Sequence, residues 1–372
     1  MEAIRLLHQQ LYNAVLQQRI EAYQRRKVSL QFTDQCKELT LLREECPEYE
    51  ALNAQSCQVT LKRVDRAFQN FFRRVKTGEK RKGFPRFKSK NRFKGFGFKS
   101  HGDGFKLLTK GKHGAVRISG VGTVRMRGKA RTWGTCVCAE LIKQGDYWYL
   151  SATIACQPKR TSGKKAAAFD WGVETFATVA DSDGGYSAVE NPRFLKKALK
   201  KLKSAQRAVS KKKLKSKSRD KARKRYVRQI RKVANQRKDF AHKTSSDFIK
   251  NYALLATEKL QVKAMTASGG AHKRALNREI LNTAPATFVS LLKYKAEEAG
   301  THWSEIPTRK AKPSQTCSRC GEVKKKALSE RWHSCDICQL QMHRDQNSAR
   351  VMLNWALFGN ATGRGSSCWG DG

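Results

Sequence analysis

Two CxxC pairs, Cys317/Cys320 and Cys335/Cys338, constrain this chain more than any other feature. The 14 residues between the pairs come close to the spacing of a ribbon in which four thiolates close a tetrahedral zinc shell. A closed shell leaves no open position for chemistry, so its role is to hold shape or to touch a partner. Seven residues after Cys338 comes Asp345, opening HRDQNSARVMLNWALFG, whose Ala349, Met352, Leu353 and Ala356 recur at helical spacing. A metal knuckle set directly before an acid reads as an insertion that holds a catalytic carboxylate, with partner carboxylates supplied from upstream.

Two upstream segments supply them. In AAAFDWGVETFATVADSDGGYSAVE an apolar strand runs into Asp170, a glycine follows at 172, and a second strand returns to a DGG hairpin. An acid in so apolar a run is costly unless it meets a metal or a partner. Asp181 and Asp183 read instead as turn residues. NYALLATEKLQ repeats the pattern with Glu258 at the end of a short apolar strand. Such strands open an RNase H-like sheet of five strands, which would gather Asp170, Glu258 and Asp345. Three carboxylates together repel one another. Two Mg²⁺ ions about 4 Å apart would neutralise them, one activating water and the other stabilising the leaving oxygen of a phosphodiester. His343 and Asn347 lie near enough to Asp345 to assist.

Charge narrows the substrate. The chain has 77 Lys and Arg against 31 Asp and Glu, a formal charge of +46, and a sequence pI near 10.3. That excess excludes an ordinary enzyme of small neutral substrates and points to a polyanion lying along the surface. No apolar run approaches the roughly twenty residues of a spanning helix, which argues for nucleic acid over membrane. Met1 leads straight into a polar amphipathic segment, so no signal peptide is expected. The 11 cysteines lack disulfide-framework spacing outside the ribbon and fit the thiols and zinc ligands of a reducing cytoplasm. Cys136 and Cys138, a CxC in a strand, are expected on one face as buried thiols.

In chain order, helices are expected over Ile4–Arg26, Thr33–Glu45 and Gln55–Thr77. The last sets Leu61, Val64, Phe68, Phe71, Phe72 and Val75 on one side and Lys62, Arg63, Arg66, Arg73 and Arg74 on the other. The basic side reads as a nucleic-acid contact in preference to a merely solvated face. From Gly78, lysines and arginines interleave with Phe84, Phe87, Phe93, Phe96 and Phe98, a combination suited to single strands, although alternation over 93–98 equally fits inward-facing strand residues. Short strands continue to about Gln157 as a small basic β-barrel. A linker from Lys159 to Lys165 precedes the Asp170 strand. Residues from Asn191 to about Lys250 read as a basic helical hairpin broken at SKSRD, placed against a nucleic-acid backbone. SGGAHKR (Ser268–Arg274) is expected as a mobile loop, Ile280–Gly300 as one helix capped by glycine, THWSEIP as a strand, and the tail with Cys368 as disordered.

Together, KELTLL at Lys37–Leu42, NFFRRVK…GFPRFK at Asn70–Lys88, FDWG at Asp170, ATEKL at Glu258, PSQTCSRCG from Pro313 and HRDQNSA at Asp345 resemble TnpB over nearly the whole length. TnpB proteins are RNA-guided DNA endonucleases encoded by bacterial and archaeal insertion sequences and related to the type V CRISPR effectors. The resemblance implies an α+β multidomain fold. Its parts are a helical recognition bundle at 1–78, a wedge-like basic β-barrel at 79–158, and a RuvC-type, RNase H-like nuclease domain at 159–312, with the helical hairpin 191–250 inside it. An inserted zinc ribbon follows at 313–342, then the last nuclease helix at 343–360 and a disordered tail at 361–372. It implies Asp170, Glu258 and Asp345 as the Mg²⁺-binding catalytic triad and Cys317, Cys320, Cys335 and Cys338 as zinc ligands. Residues around Phe32, Cys36 and Gln58 would fall where the family reads a short motif flanking its target, with Lys62, Arg66, Arg73 and Arg74 as further nucleic-acid contacts. Two departures are visible. The chain starts inside the first helix, so the barrel would lack its first strand, and QLQMH after Cys338 replaces the usual Gly and acid in the ribbon's last turn.

The function this implies is an RNA-guided, Mg²⁺-dependent DNA endonuclease that cuts beside a short flanking motif. Its partners would be a guide RNA from the transposon end, a double-stranded DNA target and single-stranded DNA. It would act as a monomeric ribonucleoprotein, without membrane, in a bacterial or archaeal cytoplasm and associated with the nucleoid. An RNA-guided regulator that binds without cutting and a strand-transfer transposase are the alternatives on the same fold.

Overall fold

Helical periodicity in the first residues becomes α1 (Glu2–Arg26), which buries Leu11, Tyr12, Val15 and Leu16 and ends where Lys27 turns left-handed, its N–H donating to the Tyr23 carbonyl and that of Val28 to the Ala22 carbonyl. α2 (Phe32–Glu45) and the single turn α3 (Pro47–Glu50) lead to α4 (Ala54–Lys76), opened by the Asn53 side chain accepting from the Ser56 N–H. Leu39, Leu52, Leu61 and Val64 complete the core among these helices. The computed structural model describes residues 1–108, 112–129, 134–157, 160–267, 270–327 and 329–364. The chain divides into two units, Met1–Gln157 and Pro158–Gly372.

The first unit continues with β1 (Gly95–Phe98), β2 (Phe105–Leu108), β3 (Lys112–Ile118), β4 (Gly122–Lys129), β5 (Thr135–Gln144) and β6 (Tyr147–Ala155). Among the described residues these form two three-stranded sheets, β1-β5-β6 and β2-β3-β4, and not the closed barrel expected from the sequence. Gly102 (φ 98°) and Gly104 (φ 81°) turn the chain out of one sheet and into the other. The sheets share a core in which Phe96 and Phe98 meet Phe105, Val116, Ile118 and Leu141. Burial divides the basic-aromatic segment: Phe93, Phe96 and Phe98 are inside, whereas Phe84 and Phe87 are each 49% exposed. Cys136 and Cys138 do share one face of β5 but are half-buried and not fully buried, and the β5–β6 ladder slips register between them.

The second unit is built on a five-stranded sheet. β7 (Lys165–Trp171), β8 (Thr175–Asp181) and β9 (Tyr186–Glu190) form an antiparallel meander, followed by the helical hairpin of α5 (Phe194–Ser210) and α6 (Lys217–Asn251). Ser216 caps α6 by accepting from the Arg219 N–H. β10 (Tyr252–Glu258) then lies parallel to β7, and α7 (Val262–Ala267), α8 (Ala271–Thr283) and α9 (Pro285–Ala299) lead to β11 (His302–Ile306), parallel to β10. The strand order is β11-β10-β7-β8-β9. One sheet face, with Phe169 and Phe176, packs on α6 and α9 through Phe248, Ile249, Phe288 and Leu292. The short turn α10 (Thr308–Ala311), the ribbon strands β12 (Trp332–Ser334) and β13 (Gln341–His343), and α11 (Arg344–Phe358) complete the chain. α11 covers the other sheet face, setting Ala349, Met352 and Leu353 against Ala166, Ala168, Leu254 and Ala256.

Three expectations change here. Of the loop expected over Ser268–Arg274, residues 268–269 lie outside the described residues, and helix α8 already begins at Ala271. The single helix expected over Ile280–Gly300 is broken at Ala284, which is left-handed at φ 51°. Pro285 lacks an N–H and disfavours helical backbone at the residue before it, so a new helix starts there. Of the tail, 365–372 with Cys368 lie outside the described residues. Ala361, the first residue of the tail expected to be disordered, is held by a hydrogen bond from the Asn354 amide, 2.7 Å, so the tail's start is fixed against α11. Among the described residues no helix is long and apolar enough to cross a membrane.

Candidate active site and metal centre

Sheet register brings two acids together. β7 and β10 pair in parallel with a constant offset, Ala166 with Leu254 and Ala168 with Ala256. Carried two residues forward, that register brings Asp170 level with Glu258 on the neighbouring strand. Thr257 donates its hydroxyl to the Phe169 carbonyl at 3.0 Å, which locks the two strand ends together. Side chains alternate along strands, so Asp170 and Glu258 fall on the face of Ala168 and Ala256, the face covered by α11. Asp345 enters from the first turn of that helix, where its N–H is capped by the His343 ring at 3.3 Å.

The electrostatics follow from this crowding. Asp170 keeps part of its surface open, yet its carboxyl is densely enclosed, and that burial pushes it well above the usual carboxylate range. The charges of Glu258 and Asp345 push it further, against a hydrogen bond from Ser348 and the nearby positive charge of Arg344. Burial also raises Glu258, against a hydrogen bond from Thr308. Arg344 stands 3.7 Å from the Asp345 carboxylate. Asp170 thus feels the charges of both other acids, and carboxylates are hard-oxygen ligands of the kind a divalent cation takes.

Sequence reasoning missed two of these supports. Ser348 lies three residues after Asp345, and i,i+3 spacing on one helix face is the signal that would have found it. Thr308 follows the end of β11, at the level where Ile306 pairs with Glu258, and only the sheet makes that proximity visible. Asn347, expected to assist Asp345, does something else. It is fully buried, accepts from the Ser318 N–H at 3.0 Å and donates to the Thr316 carbonyl at 2.7 Å. Asn354, two turns on, donates to the Ser318 carbonyl at 3.2 Å. These two amides fasten the first cysteine turn to α11, and His343 serves as the helix cap.

The four cysteine sulfurs lie within 4.8 Å of one another, with Cys317–Cys338 at 3.6 Å and Cys320–Cys335 at 3.4 Å. Zinc bound tetrahedrally at about 2.3 Å requires sulfurs roughly 3.8 Å apart, so the cluster fits that ion and can hold it. Burial drives the Cys320 thiol up to about 12. At Cys335 burial acts the same way but is outweighed by the N–H groups of Cys338 and Ile337, which bring it down to about 7. The two turns match. Cys317 accepts from Gly321 and Cys335 accepts from Gln339, with the residue after each second cysteine left-handed, Gly321 at φ 84° and Gln339 at φ 56°. The last turn of the ribbon thus forms with Gln339 where the first turn uses glycine.

The residues expected to contact nucleic acid are dispersed along α2 and α4. Phe32 and Cys36 pack against the helical core, and the Lys62 ammonium sits 4.6 Å over the Phe32 ring while pairing with Asp65 at 2.9 Å. Gln58 is half-buried. Arg74 donates to the Lys82 carbonyl at 2.6 Å. Arg66 is exposed, and Arg73 is 62% exposed with Glu79 at 3.8 Å.

Several known proteins are similar to this chain. A family model described as OrfB_IS605, "Probable transposase", matches residues 146–269, and one for the Cas12f1-like TNB domain matches residues 286–352. The chain is 29% identical over 313 residues to "Putative RNA-guided DNA endonuclease InsQ" of Escherichia coli (strain K12), covering 81% of this chain and 74% of that one. It is 29% identical over 223 residues to a "Putative RNA-guided DNA endonuclease" of Streptomyces pristinaespiralis, covering 59% of this chain and 52% of that relative's length. Its fold matches the Cas12f1 chain solved with sgRNA and target DNA at a TM-score of 0.59 and 13% identity, over 95% of this chain and 82% of that one. The chain thus has a Cas12f-like α+β fold, and its cysteine cluster can hold zinc. These matches are in keeping with the resemblance to TnpB read from the sequence.

Proposed function

We propose that this protein is an RNA-guided, Mg²⁺-dependent DNA endonuclease whose catalytic carboxylates are Asp170, Glu258 and Asp345. The observation that carries the reading is the shared β7–β10 register, which sets two acids side by side beneath a helix whose first turn adds a third, in a chain of charge +46. The strand order β11-β10-β7-β8-β9, with a parallel half and an antiparallel half, supports a RuvC-type, RNase H-like domain. Two Mg²⁺ ions there would supply an activated water and a stabilised leaving oxygen for phosphodiester hydrolysis. The protein's own part is placement: Asp170 and Glu258 hold their carboxylates on the rigid sheet, Ser348 and Thr308 orient them by hydrogen bonds, and Arg344 offsets the local negative charge. Residues 1–78 and 79–158 form the guide and target-reading parts, the helical hairpin 191–250 lies along nucleic-acid backbone, and the ribbon 313–342 is a structural zinc module. The partners are a transposon-end RNA and a DNA duplex carrying its complement beside a short flanking motif.

The test is to purify the protein with its copurifying RNA, sequence that RNA, and assay cleavage of DNA bearing the complementary site with Mg²⁺. Wild type is expected to cut, and Asp170→Ala to bind the same DNA without cutting. Equal cutting by both would sink the assignment. Guided binding without cutting by wild type would mark a regulator, and strand joining at transposon ends without bound RNA would mark a transposase.

A further inference from the structure

The break between α8 and α9 opens a cavity of about 360 Å³, the size of a small-ligand site. Its walls are apolar and aromatic, with Phe176 from β8, Phe194 from α5, Phe240 from α6, and Leu281 and Leu291 from α8 and α9. The rings meet edge to face, Phe176–Phe240 at 4.9 Å and Phe194–Phe240 at 6.2 Å, so flat aromatic surface lines the space. A second, more open groove adjoins it, bounded by Arg274, Asn277 and Arg278, and the two share Arg237, Leu281 and Asn282. Arg237 stands on the partition. Its guanidinium is fixed by donating to both the carbonyl and the side-chain oxygen of Asn282, at 3.2 and 3.3 Å.

Neither lining contains an Asp or a Glu. Glu279, outside both linings, pairs with Arg278 at 3.6 Å. Asn277 also presents a buried side-chain oxygen with no hydrogen-bond partner among the described residues, while its amide donates to Thr266 at 3.5 Å. An apolar, ring-lined cavity beside a cationic groove, with a fixed arginine between and a waiting acceptor, divides as a nucleotide does. The flat base belongs in the first space and its anionic phosphates on Arg274 and Arg278, with a sugar hydroxyl or base amino group reaching Asn277.

We propose that this cavity and groove form a nucleotide-anchoring site that takes one extruded base of a single strand, a site separate from the carboxylate centre. The separation is topological. Phe176 faces α6 and α9, whereas Asp170, Glu258 and Asp345 lie on the α11 face of the same sheet. The nucleotide held here is therefore an anchored one and not the one being cut. The proposal rests on the reading that single-stranded nucleic acid is a partner of this chain.

The test uses the purified ribonucleoprotein with 20-mer single strands carrying 5-iodouracil at one position, made once as DNA and once as RNA. Photocrosslinks are mapped by mass spectrometry, and affinity is followed across salt. A crosslink to Phe194 or Phe240 is expected. Ala234→Trp, which fills the cavity from its exposed rim, should remove that crosslink and weaken binding about tenfold, the loss expected of one base stack. Arg274→Ala with Arg278→Ala should lower the salt dependence by about two phosphate contacts. Whichever of the two strands crosslinks identifies the occupant as DNA or RNA. Strands that bind but crosslink elsewhere, or an Ala234→Trp protein with unchanged crosslink and affinity, overturn the anchoring site alone. Absence of all single-strand binding would overturn both this site and the reading beneath it.

Discussion

Gln339 closes the second cysteine turn, directly after Cys338, at φ 56°, a conformation that costs an L-residue roughly 1–2 kcal/mol and that glycine adopts freely. Gln339→Gly is therefore expected to stabilise the ribbon by about 0.5–1 kcal/mol, after allowing for glycine's larger loss of entropy. Slower release of zinc to a chelator would show it, and faster release would refute it. His8 is the other residue set by its surroundings. It is fully buried, stacked 5.2 Å from Phe96 and bonded to Ser56 and Thr60 at 3.0 and 2.9 Å. Burial first, and the charge of Arg63 second, lower it to about 3. The unfolded chain binds this proton below about 6.5 while the folded chain refuses it, so stability is present above that pH and is lost as pH falls toward 3, by about 1.4 kcal/mol per unit. Denaturant melts at pH 6.5 and 5 should show a smaller decline for His8→Gln than for wild type; parallel declines would exclude His8 as the source.

Among elements, α11 does more than cover a sheet. Its first turn offers Asp345, Ser348 reaches Asp170 one turn on, and the opposite side grips the ribbon through Asn347 and Asn354. The cysteine turn and the carboxylates thus share one rigid body. Removing the Asn347 amide leaves the Ser318 N–H and the Thr316 carbonyl buried without partners, a cost of about 1–3 kcal/mol each. Asn347→Ala is expected to release zinc faster and to cut more slowly, with Asn347→Asp, which keeps an acceptor for Ser318, falling between. Zinc retention equal to wild type in the alanine variant would show that the ribbon is held by other means. The break at Ala284 has a comparable reach, since it ends α8, starts α9 and leaves the cavity between them.

At the scale of the whole molecule, a charge of +46 dominates. Release of counterions from phosphates makes such binding steeply salt-dependent, and six to ten contacts imply a loss of about 10³-fold or more between 50 and 200 mM salt. Titrating nucleic acid at several salt concentrations checks this, and a flat dependence would contradict a polyanion partner. The acids are few and local by contrast. Asp181 shows how: its side-chain oxygen accepts from the N–H groups of Asp183 and Gly185, so it builds a turn and takes no part in the carboxylate cluster.

Local chemistry was readable in the residues alone. CxxC spacing needs no tertiary context to specify a metal turn, an acid ending an apolar strand carries its own cost, and helical spacing marked α1, α4 and α11. Burial of Phe93, Phe96 and Phe98 beside exposed Phe84 and Phe87 was not readable, because basic-aromatic alternation looks the same on a core strand and on a binding surface. The break at Ala284 could have been read from Pro285, yet periodicity carried through it. What only the tertiary structure decided was which residues meet across long separations. The β7–β10 register put Glu258 beside Asp170, Thr308 reached Glu258 through β11, and Asn347 turned to the ribbon and away from the acids. The physical reason is that periodicity and motif spacing report each segment's own faces, while register and packing, which choose between faces, depend on partners far along the chain.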